Sequence, residues 1–102
     1  MQYDYKLIDI TTLQGIKDAE RLKAKGWDIK ESSPFAIQFV VEIRPIEKVP
    51  KGDYFRARNG AKVYSQQGYC RVSKKYTGQE FEDINSYRYF KKGTMVEYNF
   101  TF

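Results

Sequence analysis

Residues 51–76 read KGDYFRARNGAKVYSQQGYCRVSKKY, and their centre decides the fold class. Asn59-Gly60, between YFRAR and AKVYS, is the strongest hairpin signal in the chain, because both residues accept the left-handed backbone of a type I′ turn. A two-residue loop there pairs Arg58 with Ala61, Arg56 with Val63, and Tyr54 with Ser65. Strand side chains alternate faces, so Tyr54, Arg56 and Arg58 share one face while Phe55, Lys62 and Tyr64 share the other. Cations stand on both faces, which predicts a bulge, a protruding hairpin or a ribbon wet on both sides. Gln67-Gly68 reads as the next turn, leading into YCRVSKKY, and Lys92-Gly93 turns the chain into TMVEYNFTF. In that last strand Met95, Glu97 and Asn99 oppose Val96, Tyr98, Phe100 and Phe102, so the second half is a run of β-hairpins.

Working outward, YDYKLIDI at residues 3–10 alternates Tyr3, Tyr5 and Leu7 with Asp4 and Lys6, the pattern of a strand. Thr11 and Thr12 are N-cap candidates for a helix over LQGIKDAERLKAK, in which Leu13, Ile16, Ala19 and Leu22 recur at helical spacing. Lys23 and Lys25 suit its C-terminal dipole, and Gly26 is its stop. WDIKES then reads as a short strand, SSP as a turn, and FAIQFVVEIRPI as the central strand of this half. Trp27, between the helix stop and a strand, belongs in the core. Pro45 and Pro50 bracket IEKV as a connection. The expected fold is α+β: one helix packed on a mainly antiparallel sheet. A chain of 102 residues is expected to form one domain, 1–102, with candidate subdomains 1–46 (β-α-β-β) and 51–102 (β-hairpins).

Composition supports a β-rich core, since nine tyrosines and seven phenylalanines favour strands. The net charge of +5 is unevenly placed. Residues 1–50 carry eight cations and eight acids, and residues 77–102 carry three and four. Residues 51–76 carry Lys51, Arg56, Arg58, Lys62, Arg71, Lys74 and Lys75 against Asp53 alone. Concentrated positive charge attracts polyanions. Cys70 is the one cysteine, which excludes an internal disulfide and fits a reducing cytoplasm. No run has the apolar length of a membrane span, so no membrane partner is expected.

Without histidine the chain can build no His-based triad, no Cys-His pair and no zinc site of ordinary composition. It also lacks a phosphate loop and a dinucleotide fingerprint. Glu80 and Glu82 would share a strand face beside Asp83, but GQEFEDIN reads more simply as a solvated bend than as a magnesium site. Cys70 reads as a small strand residue packed inward rather than as a reactive thiol. No catalysis, cofactor or metal is therefore expected. What remains is a surface in which cations meet phosphates and aromatic rings meet unpaired bases. Its candidate members are Lys51, Tyr54, Arg56, Arg58, Lys62, Tyr64, Tyr69, Arg71, Lys74, Lys75 and Tyr76. The competing reading has the tyrosines in the core and the cations keeping the sheet wet.

Tyr3, Tyr5 and Lys6, followed by Gly26, Trp27, Asp28 and Ile29, resemble a small bacterial domain family that has no assigned chemistry. In the second half, Ser73-Lys74-Lys75-Tyr76, Phe81-Glu82-Asp83-Ile84-Asn85, Phe90-Lys91-Lys92-Gly93-Thr94 and Phe100-Thr101-Phe102 are similar to segments of small phage and prophage proteins of Gram-positive bacteria. That resemblance implies a binding protein acting in the bacterial cytoplasm. Its target would be nucleic acid (DNA or RNA) or a nucleic-acid-handling complex. The most specific expectation is an inhibitor of a host defence nuclease, such as a CRISPR effector. One alternative is a single-stranded DNA or RNA binder of phage replication or regulation. Another is a structural or assembly protein associating through a strand edge.

Overall fold

A computed structural model describes residues 2–100. Phe102, expected at the end of the last strand, lies outside the described residues, as do Met1 and Thr101. Among the described residues, one α-helix, eight strands and a short 3-10 turn make an α+β fold with antiparallel pairing, as the patterning predicts. Two compact units divide the chain at Glu42/Ile43, within the third strand.

The first unit contains β1 (Gln2–Asp9), α1 (Leu13–Ala24), β2 (Asp28–Ser32) and the start of β3 (Ala36–Pro45). Thr12 caps the helix: its hydroxyl accepts the Gly15 N–H at 3.0 Å, satisfying a donor that has no partner within the first turn. Gly26 follows the last turn with φ +83°. The buried face runs through Gly15, Ala19 and Leu22, whereas Leu13 and Ile16, expected inside, are 70% and 43% exposed. Close approach explains the rotation. A Cβ on Gly15 would lie 1.6 Å from the Asp9 carbonyl oxygen, so the helix begins against the end of β1 where only glycine fits. Gly15→Ala must push helix and strand apart, and we expect a loss of about 1–3 kcal/mol, read as a lower melting temperature. At an unhindered helix position the same change would stabilise. Trp27 is buried, as expected, with the Lys6 ammonium 5.3 Å from its ring centre. Strands β2 and β3 pair through Ile29↔Phe39 and Ser32↔Ile37, with a register shift at Lys30, and Ile37, Phe39 and Val41 of β3 are buried.

In the second unit, a 3-10 turn (Ile46–Lys48) precedes β4 (Tyr54–Ala57), β5 (Val63–Cys70), β6 (Lys75–Glu80), β7 (Tyr87–Lys91) and β8 (Met95–Tyr98). They stand in the order β8-β4-β5-β6-β7, each neighbour antiparallel. One sheet face packs Ile46, Val49, Phe55, Tyr64, Phe90 and Val96 into a core. The Phe55 and Phe90 rings meet edge-on at 5.0 Å, and Tyr64 lies within 5.8 Å of Phe55 and 5.7 Å of Phe90. Such contacts add roughly 0.5–1.5 kcal/mol each to the area they bury.

Pairing of Tyr54 with Ser65 and of Arg56 with Val63 agrees with the sequence reading, but the turn that joins them does not. Gly60 N–H donates to Ala57 O at 2.8 Å, and Asn59 is the one residue of this turn with positive φ, at 61°. Arg58 and Ala61 therefore lie in a loop rather than opposite each other. A tertiary contact sets the turn: the Glu97 carboxylate accepts the Asn59 N–H at 3.0 Å. Gln67-Gly68 is not a turn either. Strand β5 continues through it by a bulge, where Gly68 takes φ +121° and its N–H donates to the Gln66 side-chain oxygen. The chain reverses instead at Arg71–Lys74, closed by Lys74 N–H to Cys70 O at 2.8 Å.

Candidate functional site

Register and burial divide the eleven candidate residues into groups that do not form one ribbon. Arg56 leaves the set, being 1% exposed, with its guanidinium 3.4 Å from the equally buried Glu97 carboxylate. Burial pulls the Arg56 pKa down and the Glu97 charge opposes that fall. Because Phe55 and Arg56 are consecutive and both buried, β4 is covered on both faces there and is not wet on two sides. Tyr64 also leaves the set, as a core ring. Tyr76 is half-buried against that core, with Tyr69 beside it at 4.9 Å, so both rings stand on the core-side face.

The remaining cations separate to opposite ends of β5. Arg58 and Lys62 occupy the loop before it, with the Lys62 ammonium 3.5 Å from Glu80. Arg71 and Lys74 occupy the turn after it, and Lys75 begins β6. Eight residues of strand hold the two groups about 23 Å apart. Lys51 runs past the bulge, its Cε 3.7 Å from where a Gly68 Cβ would be.

The register builds a different surface on the face opposite the core. Tyr54, Ser65, Gln79 and Tyr87 form one row across β4–β7, Thr77 and Tyr89 the next across β6 and β7, and Lys75 and Lys91 a third. Tyr54 is 43% exposed, Tyr87 53% and Tyr89 58%. Phe81, itself half exposed, stands edge-on to Tyr54 at 5.6 Å. Tyr87 and Tyr89 are two residues apart on one strand, which places them roughly 6.6 Å apart. Lys75 and Lys91 are directly opposite, where like charges repel and a bound anion would relieve the repulsion.

Phe81, Tyr87, Tyr89 and Lys91 were not among the candidates. Their signal was in the sequence: YRYFK alternates Tyr87, Tyr89 and Lys91 against Arg88 and Phe90, and Phe90 marks the inward side. The loop beside this face is fastened by its own side chains. Gln79 donates to Ile84 O at 2.8 Å, and Asp83 accepts from Ser86 Oγ at 2.8 Å and from Asn85 N–H at 3.1 Å. Those bonds, the Ser86 hydroxyl first, hold the Asp83 carboxyl below its ordinary range. Glu80 is engaged by Lys62, and no cluster of three metal-ligating side chains occurs among the described residues.

Cys70 is exposed rather than packed inward, because it stands opposite Lys75 on the outer face at the end of the strand. Hydrogen bonds from Ser73, its hydroxyl first, hold the thiol pKa below the usual value. No helix among the described residues is long and apolar enough to cross a membrane. No protein-family model, curated protein or solved structure matches the chain.

Proposed function

We propose that the chain is a non-catalytic binding protein that takes a single strand of DNA or RNA across the outer face of β5–β7. The observation that carries this reading is the pair of exposed tyrosines, Tyr87 and Tyr89, set on one face beside the opposed lysines Lys75 and Lys91. Unpaired bases stack on such rings whatever their sequence, and cations hold the connecting phosphates. Arg71 and Lys74, in the turn that follows β5, extend the phosphate path. A duplex hides its base faces and offers the rings nothing to stack on.

Fluorescence anisotropy with labelled single-stranded DNA, RNA and duplex DNA, each over a salt series, tests the proposal. Single strands bind more tightly than duplex, with an affinity that falls steeply as salt rises. Lys75→Ala and Lys91→Ala each reduce the salt slope by about one. Arg58→Ala, at the other end of β5, changes it less. Equal binding of duplex and single strand, or a slope untouched by Lys75 and Lys91, would remove this face as the site.

On the resemblance to phage segments, a narrower form of the reading is a cytoplasmic inhibitor of a host defence nuclease of the CRISPR-effector type. The same face would then engage the effector's RNA or displaced DNA strand. Cleavage assays with and without the chain examine that form, and undiminished cleavage by the host's nucleases counts against it.

A further inference from the structure

Strand β7 ends the strand order, with β6 its one strand neighbour among the described residues. The Glu80 N–H donates to Ser86 O at 2.9 Å, and these two residues continue the β6–β7 register beyond Gln79↔Tyr87. That bond sets the phase of the ladder. Bonded and non-bonded positions alternate in an antiparallel pair, so Arg88 and Phe90 bond to β6 while Tyr87, Tyr89 and Lys91 turn their backbone groups outward. Among the described residues one of those outward groups is used, Lys91 O, which accepts the Thr94 N–H at 3.1 Å. The N–H groups of all three residues and the C=O groups of Tyr87 and Tyr89 line an edge whose side chains, except Phe90, are exposed. Such an edge is a template for a further strand.

Charge says which strand. β7 carries Arg88 and Lys91 and no acid, and Lys75 stands directly opposite Lys91. Arg88 lies on the core-side face, its guanidinium 5.1 Å from the centre of the Phe90 ring. None of these three cations has a carboxylate partner among the described residues. Pairing β7 with the β7 of a second copy brings cations to cations. Centring on Arg88 or Lys91 sets like directly against like, and no acid on either strand answers them.

We infer that the edge of β7 takes an extended acidic peptide of a protein partner as an added strand, with two carboxylates three residues apart. Run antiparallel, the peptide sets one residue opposite each residue of β7. An acid opposite Arg88 falls at a non-hydrogen-bonded position, where side chains come closest, and an acid opposite Lys91 falls on the outer face. Arg88 and Lys91 are three apart, so the two carboxylates are three apart and point to opposite faces of the added strand. The two residues between them oppose Tyr89 and Phe90, which suits β-branched side chains. Backbone bonds supply affinity, and the two charges supply the choice of sequence. This inference does not rest on the nucleic-acid reading, because it uses the edge of β7 rather than its face; of the charges, Lys91 serves both.

The probe is an acetylated, dye-labelled peptide, Glu-Val-Thr-Glu-Val, whose first Glu opposes Lys91 and whose second opposes Arg88. It binds the full chain in fluorescence anisotropy, and more tightly than Val-Glu-Thr-Glu-Val, in which the acids share one face. Arg88→Glu weakens the probe about fivefold or more, and replacing the probe's second Glu by Lys restores binding to that variant. Backbone pairing is tested on the peptide, where folding of the chain is not at issue. N-methylation of the Thr and the last Val, whose N–H groups point at β7, abolishes binding. N-methylation of the first Val and the second Glu, whose N–H groups point away, leaves it. In amide hydrogen exchange, Tyr87, Tyr89 and Lys91 are fast in the free chain and about tenfold or more slower with the probe bound, while Arg88 and Phe90 are slow in both. An oligonucleotide on the outer face leaves the three fast, so this proposal and the nucleic-acid reading fail separately. No binding, indifference to which N–H groups are methylated, or edge amides that stay fast with the probe bound would overturn the proposal. So would protection in the free chain that grows with its concentration, which would give the edge to a second copy.

Discussion

Glu97→Ala is expected to destabilise the protein by about 3–5 kcal/mol, the penalty for stranding a buried charge. Glu97 and Arg56 are each 1% exposed, and the Glu97 carboxylate lies 3.4 Å from the guanidinium and 3.0 Å from the Asn59 N–H it accepts. Its removal leaves the arginine buried without this counter-charge and unfastens the Ala57–Gly60 turn. For a domain of this size the loss corresponds to a fall in melting temperature of roughly 12 °C or more. Two companions separate the causes. Glu97→Gln keeps an acceptor for Asn59 and loses the charge, so it falls between the parent and Glu97→Ala. Arg56→Met/Glu97→Leu replaces the pair by apolar groups of similar volume and recovers most of the loss. Circular dichroism melts of the four proteins decide the matter: a double variant no more stable than Glu97→Ala would show that the charge pair is not what the site depends on.

Tyr87→Ala/Tyr89→Ala is the second large effect, this time on affinity. Stacking contributes roughly 1–3 kcal/mol per base, so removing both rings costs roughly 2–6 kcal/mol, a loss in single-strand affinity of about 30-fold or more. Both rings are more than half exposed, so the melting temperature should hardly move. Tyr87→Phe/Tyr89→Phe keeps the stacking surface and retains most of the affinity. Failure of the phenylalanine variant would assign the tyrosines a hydrogen-bonding role in place of a stacking one.

Much of the fold could be read from local pattern because local chemistry causes it. Thr12 and Gly26 bound the helix through a cap and a stop that act within a few residues. The pairing of Tyr54 with Ser65 followed from the period-two alternation of a strand, since a one-residue slip would exchange every side chain's face. What failed depends on partners distant in sequence. Arginine on a strand normally reads as exposed, and Arg56 is buried because Glu97, 41 residues on, meets it. The same carboxylate moved the turn off Asn59-Gly60. Glycine lowers helix propensity, and only the close approach of Asp9, six residues earlier, makes Gly15 a requirement. The site was legible only in part. Net charge directed attention to residues 51–76, yet the sheet distributes those cations to opposite ends of β5. The face instead gathers Tyr87, Tyr89 and Lys91 from a segment whose net charge is unremarkable. Alternation says which residues share a face but not which face is covered, and so the exposure of Tyr3, Tyr5 and Leu7 was not foreseeable from the sequence.

The central claim, that the outer face of β5–β7 holds a single strand, is tested most directly by a two-dimensional amide NMR titration with a short single-stranded oligonucleotide. The shifts predicted to move are those of Thr77, Gln79, Tyr87, Tyr89 and Lys91, with Arg71 and Lys74 following as the strand lengthens. Shifts confined to the 58–62 loop, or none at all at low salt, would contradict it.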